Sequence, residues 1–94
     1  MTNAIKGAKV LTGGARPTKT ETSYDFDKGY YYLPTVIGNC TPDMKVVREE
    51  VFGPVVVLLP FDSEQDAIRL ANDSPYGLAA AIFTNDVKRY YTIL

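Results

Sequence analysis

Apolar residues occur in this chain as short bursts set off by turn chemistry, and the spacing inside each burst predicts an element. Asn3 is placed to cap a brief helical turn through Ala4, Ile5 and Lys6, with Gly7 ending it. Ala8–Leu11 reads as a strand stopped by Gly13-Gly14. From Thr12 to Gly29 polar and turn residues dominate, which predicts a long loop near 12–29, mobile or functional. Tyr30–Ile37 is aromatic and β-branched, hence a strand, with Pro34 marking an edge or a bulge. Thr41-Pro42-Asp43 has the chemistry of a helix start, and Met44, Val47 and Val51 recur behind it at helical spacing. Gly53-Pro54 breaks that helix. Val55–Leu59, five apolar residues in a row, predict a strand buried on both faces.

The second half is marked more sharply. Asp62 and Ser63 are both capable N-caps, and Glu64 and Asp66 follow in a first turn that favours negative charge. Ala67, Ile68 and Ala71 make an apolar stripe, with Glu64, Asp66 and Arg69 mostly outside it. Asn72–Gly77 is dense in turn residues, and Leu78–Phe83 reads as another strand. Thr84-Asn85-Asp86 supplies a cap for a last helix with Val87, Tyr90, Tyr91 and Leu94 at i, i+3, i+4 and i+7. The strand–helix–strand–helix order from Val55 onward is that of a parallel α/β sheet, so the fold class is α/β, with short strands alternating with helices. Such a sheet needs helices on both faces, and too few are present. The last helical pattern also runs on to the final residue. Both features predict part of a larger domain; a complete small α+β domain is the alternative.

Composition narrows the functions open to such a chain. Ninety-four residues bury only about 60–65% of their unfolded surface, so a deep cleft is hard to build from them alone. The net charge of −1 argues against a nucleic-acid partner. No run reaches the roughly 18 apolar residues that span a bilayer, and Val51–Phe61 is interrupted by Gly53, Pro54 and Pro60, so no membrane role is expected. Lys6, Lys9, Arg16 and Lys19 without an apolar core show no secretory signal. The single cysteine, Cys40, cannot form an internal disulfide and fits a reducing cytoplasm. The chain has no histidine, which excludes a Ser–His–Asp or Cys–His mechanism within it and leaves no expectation of a metal site. Gly13-Gly14 matches no phosphate-loop pattern and reads as a turn. Tyr30-Tyr31-Tyr32 resembles a stacking platform, but without a basic groove it reads as packing. Asp43, Glu49, Glu50 and Glu64 show no paired-carboxylate spacing.

The most informative string is Glu49-Glu50-Val51-Phe52-Gly53-Pro54-Val55. On spacing alone it is a charged helix end, a Gly-Pro turn and the start of a strand. As a whole, however, it resembles the E-E-x-F-G-P-V motif of the aldehyde dehydrogenase family. Gly29-Tyr30-Tyr31-Tyr32-Leu33-Pro34-Thr35-Val36 is similar to that family's G-y-F/Y-x-x-P-T-V strand, and Ala71-Asn72-Asp73-Ser74-Pro75-Tyr76-Gly77-Leu78-Ala79-Ala80 to its A-N-x-S-x-Y-G-L-A-A segment. Ala8–Gly14 resembles the strand and glycine pair that precede them. These stretches stand in the family's order and cover nearly the whole chain. Asn39-Cys40-Thr41 and Met44–Phe52 look most like the betaine- and amino-aldehyde branches.

The resemblance implies a fragment of the aldehyde dehydrogenase catalytic domain over residues 1–94. It implies an oxidoreductase that oxidises aldehydes to carboxylic acids with NAD or NADP: a cysteine thiolate attacks the aldehyde, hydride leaves to the cofactor, and water activated by a glutamate hydrolyses the thioester. It assigns Glu50 to the nicotinamide-ribose hydroxyls, a role that suits an acceptor-only carboxylate facing a vicinal diol. Phe52 would flank the nicotinamide, and Leu78 would add an apolar wall. No G-Q-x-C nucleophile segment, Gly-rich cofactor-binding domain or general-base glutamate is recognised in the chain, and Cys40 sits in a strand-to-helix loop as a structural thiol. The chain alone is therefore expected to carry no catalytic residue and to be inactive. The alternative is a stand-alone binding or assembly module derived from the enzyme, a homo-oligomer joined through exposed strands.

Overall fold

The computed structural model describes residues 6–18 and 25–94. It falls into two compact units, Met1–Leu59 and Pro60–Leu94. The expected N-terminal helical turn at Asn3 lies outside the described residues, but Gly7 does turn with a positive φ of 91°.

The first unit is built on a three-stranded sheet in the order β1-β2-β3. Strand β1 is Lys9–Thr12, β2 is Thr35–Gly38 and β3 is Val55–Val57. β1 pairs antiparallel with β2, matching Lys9 to Gly38 and Val10 to Ile37, then slips by a bulge so that Thr12 faces Val36. β2 and β3 run parallel, with Thr35, Val36 and Ile37 opposite Val55, Val56 and Val57. A parallel pair needs a crossover, and helix α1, Lys45–Arg48, lies on it. The sheet is thus mixed rather than all parallel.

The expected elements shrink where their partners run out. The strand foreseen from Tyr30 begins only at Thr35, because Pro34 has no N–H to give a ladder. The helix foreseen from Pro42 begins at Lys45: Thr41–Asp43 is a turn in which the Thr41 hydroxyl donates to the Asp43 carboxylate, and the Met44 N–H donates to the Thr41 carbonyl. Val55–Leu59 is not buried on both faces. Only β2 stands beside it in the sheet, and Val56 and Leu58 are about half exposed. The 12–29 segment carries structure of its own in its described parts. Arg16 Nη2 donates to the carbonyls of Phe26 and Gly29, both at 3.0 Å, and a 3-10 turn spans Phe26–Lys28.

The core of this unit is small. Ile37 is fully buried, Cys40 and Val46 nearly so, and Met44, Val47, Val55, Val57 and Leu59 pack around them half-covered. Burial of a side chain such as Ile37 is worth about 1.5–3 kcal/mol, so each of these few residues matters.

The second unit holds two helices, α2 over Glu64–Asn72 and α3 over Val87–Ile93. Ser63 caps α2 by accepting from the Asp66 N–H at 3.1 Å, and Asp86 caps α3 by accepting from Lys88 and Arg89. Arg89 reaches Glu64 at 3.4 Å. The strand expected at Leu78–Phe83 does not form. A strand exists only as half of a ladder, and the second unit contains no partner for it among the described residues. The α2 stripe is Ala67, Ile68 and Leu70 rather than Ala71, which is exposed.

Candidate functional site

The motif string Glu49–Val55 bridges the end of α1 and the start of β3. At one side the Glu49 N–H closes α1 onto the Lys45 carbonyl at 2.9 Å, and its carboxylate stands 3.9 Å from Lys45. At the other the Val55 N–H donates to the Gly53 carbonyl and the Thr35 N–H to the Pro54 carbonyl, both at 2.8 Å. Between these anchors Glu50, Val51 and Phe52 form a short arch. The two neighbouring glutamates are thereby separated in role. Glu49 caps a helix and pairs with a lysine; Glu50 is exposed and makes no hydrogen bond or ion pair among the described residues.

The arch ends on an unusual backbone. Phe52 has φ +54°, the left-handed region that costs a residue with a Cβ about 1–2 kcal/mol. Such a conformation persists when the surroundings over-determine it. Here Gly53 and Pro54 follow directly, and Pro54 is held to the sheet by Thr35. The result is an aromatic ring presented outward, with Phe52 88% exposed. Gly53, expected to permit the turn behind the ring, has no positive φ, and a Cβ there would meet nothing closer than 4.0 Å, so the left-handed residue of the turn is Phe52 itself.

Glu49, Glu50, Val51, Phe52 and Gly53 rim an open concavity of about 500 Å³ whose other walls are Val46, Val55 and Val57. Carboxylate and exposed aromatic ring therefore stand on one apolar-floored hollow. That donor set suits a ligand with a pair of hydroxyls beside a flat ring: the carboxylate accepts both O–H groups and the ring stacks. The residues present fit the ribose–nicotinamide half of a dinucleotide. Among the described residues no cluster of His, Cys, Asp and Glu is placed to hold a metal.

Glu50 and Phe52 are thus brought together by the fold. Leu78 belongs to the second unit and is fully exposed there. The valine floor is not announced by the sequence. Helical spacing draws attention to Met44 and Val47, whereas Val46, between them, is the residue that lines the hollow. Cys40 is buried 3.7 Å from the carbonyls of Ile37 and Gly38. Burial pushes its thiol up from the ordinary 9.0, a hydrogen bond from the Leu58 backbone only partly offsetting this. A raised thiol is the opposite of an activated nucleophile.

Comparison with known proteins extends this picture. The model of the aldehyde dehydrogenase family matches residues 1–94. Betaine aldehyde dehydrogenase of Bacillus subtilis (strain 168) is 46% identical over 84 residues, covering 89% of this chain and 16% of that protein. A crystal structure of betaine aldehyde dehydrogenase from Staphylococcus aureus in complex with NAD+ superposes with a TM-score of 0.85 at 44% identity, over 98% of this chain and 17% of that one. HpcC from Thermus thermophilus gives the same TM-score and identity, over 94% and 17%. The chain thus spans about one sixth of the length of these relatives. With a family match along its full length, a core strand order set by its own hydrogen bonds and the motif string folded into an arch, the chain belongs to the aldehyde dehydrogenase family.

Proposed function

We propose that this chain serves the NAD-linked oxidation of aldehydes to carboxylic acids, as part of a catalytic domain, by supplying one wall of the nicotinamide-ribose half-site. The observation that carries the reading is the juxtaposition of Glu50 and Phe52 on one apolar-floored concavity. Glu50 accepts the ribose hydroxyls and Phe52 limits where the nicotinamide ring lies, while Leu78, in the second unit, offers an exposed apolar surface of its own. When bound, the nicotinamide is the hydride acceptor. The chain's own residues bind and orient. NAD is favoured by the NAD+ complex of the Staphylococcus aureus relative. The substrate class is left at aldehydes as such. A reducing, cytoplasmic setting agrees with the lone buried thiol, and no helix among the described residues is long and apolar enough to cross a membrane.

One wall alone has to overcome the ordering cost of association, so NAD+ is expected to bind this chain at about millimolar concentration at best. Titration with NAD+ should shift the Glu50 and Phe52 amide resonances before others, and Glu50→Gln should weaken the effect by about tenfold, the worth of one good hydrogen bond. Incubation with NAD+ and a panel of aldehydes should yield no NADH above blank, because Cys40 is buried and protonated. Shifts confined to other residues would sink the assignment of Glu50 and Phe52, and reproducible turnover abolished in Glu50→Gln would overturn the expected inactivity of the chain alone.

A second reading, of a different class, is a self-associating module. Its support is the number of large apolar side chains left in solvent, Phe83 at 95% and Leu94 at 75% among them. It predicts a mass in solution that rises with concentration.

A further inference from the structure

Thr35 is a buried polar residue in the small core, 2% exposed, and it joins three separate stretches of chain. Its hydroxyl donates to the Leu33 carbonyl at 2.7 Å and accepts from the Gly14 N–H at 2.8 Å. Its own N–H donates to the Pro54 carbonyl at 2.8 Å. Pro54 is the residue on which the Glu50–Phe52 arch comes to rest. The Gly13-Gly14 turn is shaped for the same contact. Both glycines have φ near +80°, and a Cβ on Gly13 would stand 2.2 Å from the Pro34 carbonyl oxygen and 2.6 Å from the Thr35 hydroxyl. Only a turn without side chains comes close enough to bond Thr35.

We propose that Thr35, seated by the Gly13-Gly14 turn, is a positioning residue for the arch: it fixes Pro54 and so holds Phe52 in its left-handed backbone, with Glu50 and the ring facing one hollow. The proposal rests on the reading of Glu50 and Phe52 as a nicotinamide-ribose wall, but its conformational part is testable without any ligand. The physical logic is that an outlying backbone has to be held from outside. β3 beyond the arch is only three residues long and half covered, so the Thr35–Pro54 bond at its first register position is the nearest rigid anchor.

The test compares the 94-residue chain with Thr35→Val, which keeps shape and the N–H facing Pro54 but loses the hydroxyl that seats Thr35 on Gly14 and Leu33, and Thr35→Ser, which keeps the hydroxyl. A left-handed residue gives a strong intraresidue cross-peak between its amide and α protons. The Phe52 peak is expected to be strong in wild type and Thr35→Ser, and to fall to the level of its neighbours in Thr35→Val while the Ile37 amide stays protected from exchange. Shifts induced by NAD+ should weaken by about tenfold in Thr35→Val and recover in Thr35→Ser. Should Thr35→Val not fold, Gly13→Ala strains the same tie from the other side, and the Gly14 amide in wild type reports it without mutation. A Gly14 amide that exchanges as in an unstructured peptide, or a strong Phe52 peak surviving in folded Thr35→Val or Gly13→Ala, overturns the proposal. Loss of the Phe52 peak in Thr35→Val with no NAD+ response in wild type keeps the positioning role and sinks the ligand reading instead.

Discussion

At the scale of single residues, the one thiol shows how environment decides chemistry. Cys40 lies in the core with Ile37 and Val46, and burial favours its neutral form. Its folded pKa is raised above the ordinary 9.0, so below pH 9 the thiol is protonated in both states and adds no pH dependence. Above that value the unfolded chain releases the proton first and binds fewer protons than the folded one. Stability is therefore lost as pH rises through the folded value. Two measurements check this. Alkylation of Cys40 at neutral pH should track unfolding, running slower in native chain than in denaturant, and Cys40→Ala should flatten the decline in stability above pH 9. Native-state alkylation at the rate of a free thiol would contradict the burial argument. Asn39, next door, takes φ +52° at the end of β2, a conformation asparagine tolerates better than most residues.

At the scale of elements, helix starts and turn residues are legible because their chemistry is local. Of the two candidate caps Asp62 and Ser63, Ser63 is the one used, and Asp86 caps α3 as its Thr-Asn-Asp setting implies. Strands are less legible, since a strand is a relation between two segments. Tyr30–Leu33 carries β-favouring side chains and Leu78–Phe83 is an apolar run rich in alanine, and both remain outside the sheet. The motif string announces Glu50 and Phe52, while the left-handed Phe52 backbone and its anchor depend on a bond between Thr35 and Pro54, far apart in sequence, and have no local signal. Helix α2 gives a test of the local part. Ser63→Ala removes the acceptor of the Asp66 N–H and should cost about 1 kcal/mol, seen as lost helical signal on mild heating. Asp66 adds a pH term: its hydrogen bond from Arg69, with the charge of that guanidinium, holds its carboxyl below the ordinary 3.8. As pH falls, the unfolded chain takes up the proton first, so this contribution is present above the ordinary value and fades below it. Arg69→Gln should remove that acid sensitivity of α2 and leave the Ser63 effect intact.

At the scale of the whole molecule, the sheet ends among the described residues on two strands of different character, β1 and β3. β1 carries Lys9 and a bulge at Leu11, two devices that discourage a further strand. β3 has neither. Its three valines pair with β2 in unbroken register, and the run continues into Leu58 and Leu59. Val56 is 53% exposed and Leu58 49%. Covering one such side chain is worth about 1.5–3 kcal/mol, so pairing two copies along β3 would add apolar burial to the ladder hydrogen bonds it gains. Sedimentation velocity is therefore expected to show a mean mass that rises with concentration, and Val56→Lys to shift the chain toward monomer with its circular dichroism unchanged. Lys9→Val, on the blunted edge, should leave association as it is, because the bulge persists without the charge. Association driven by apolar burial also holds up when salt is raised, whereas an ion-paired interface weakens. A chain that stays monomeric at every concentration and unfolds in one transition would show instead that the exposed valines are tolerated singly, and that β3 is an edge without a partner among copies of itself.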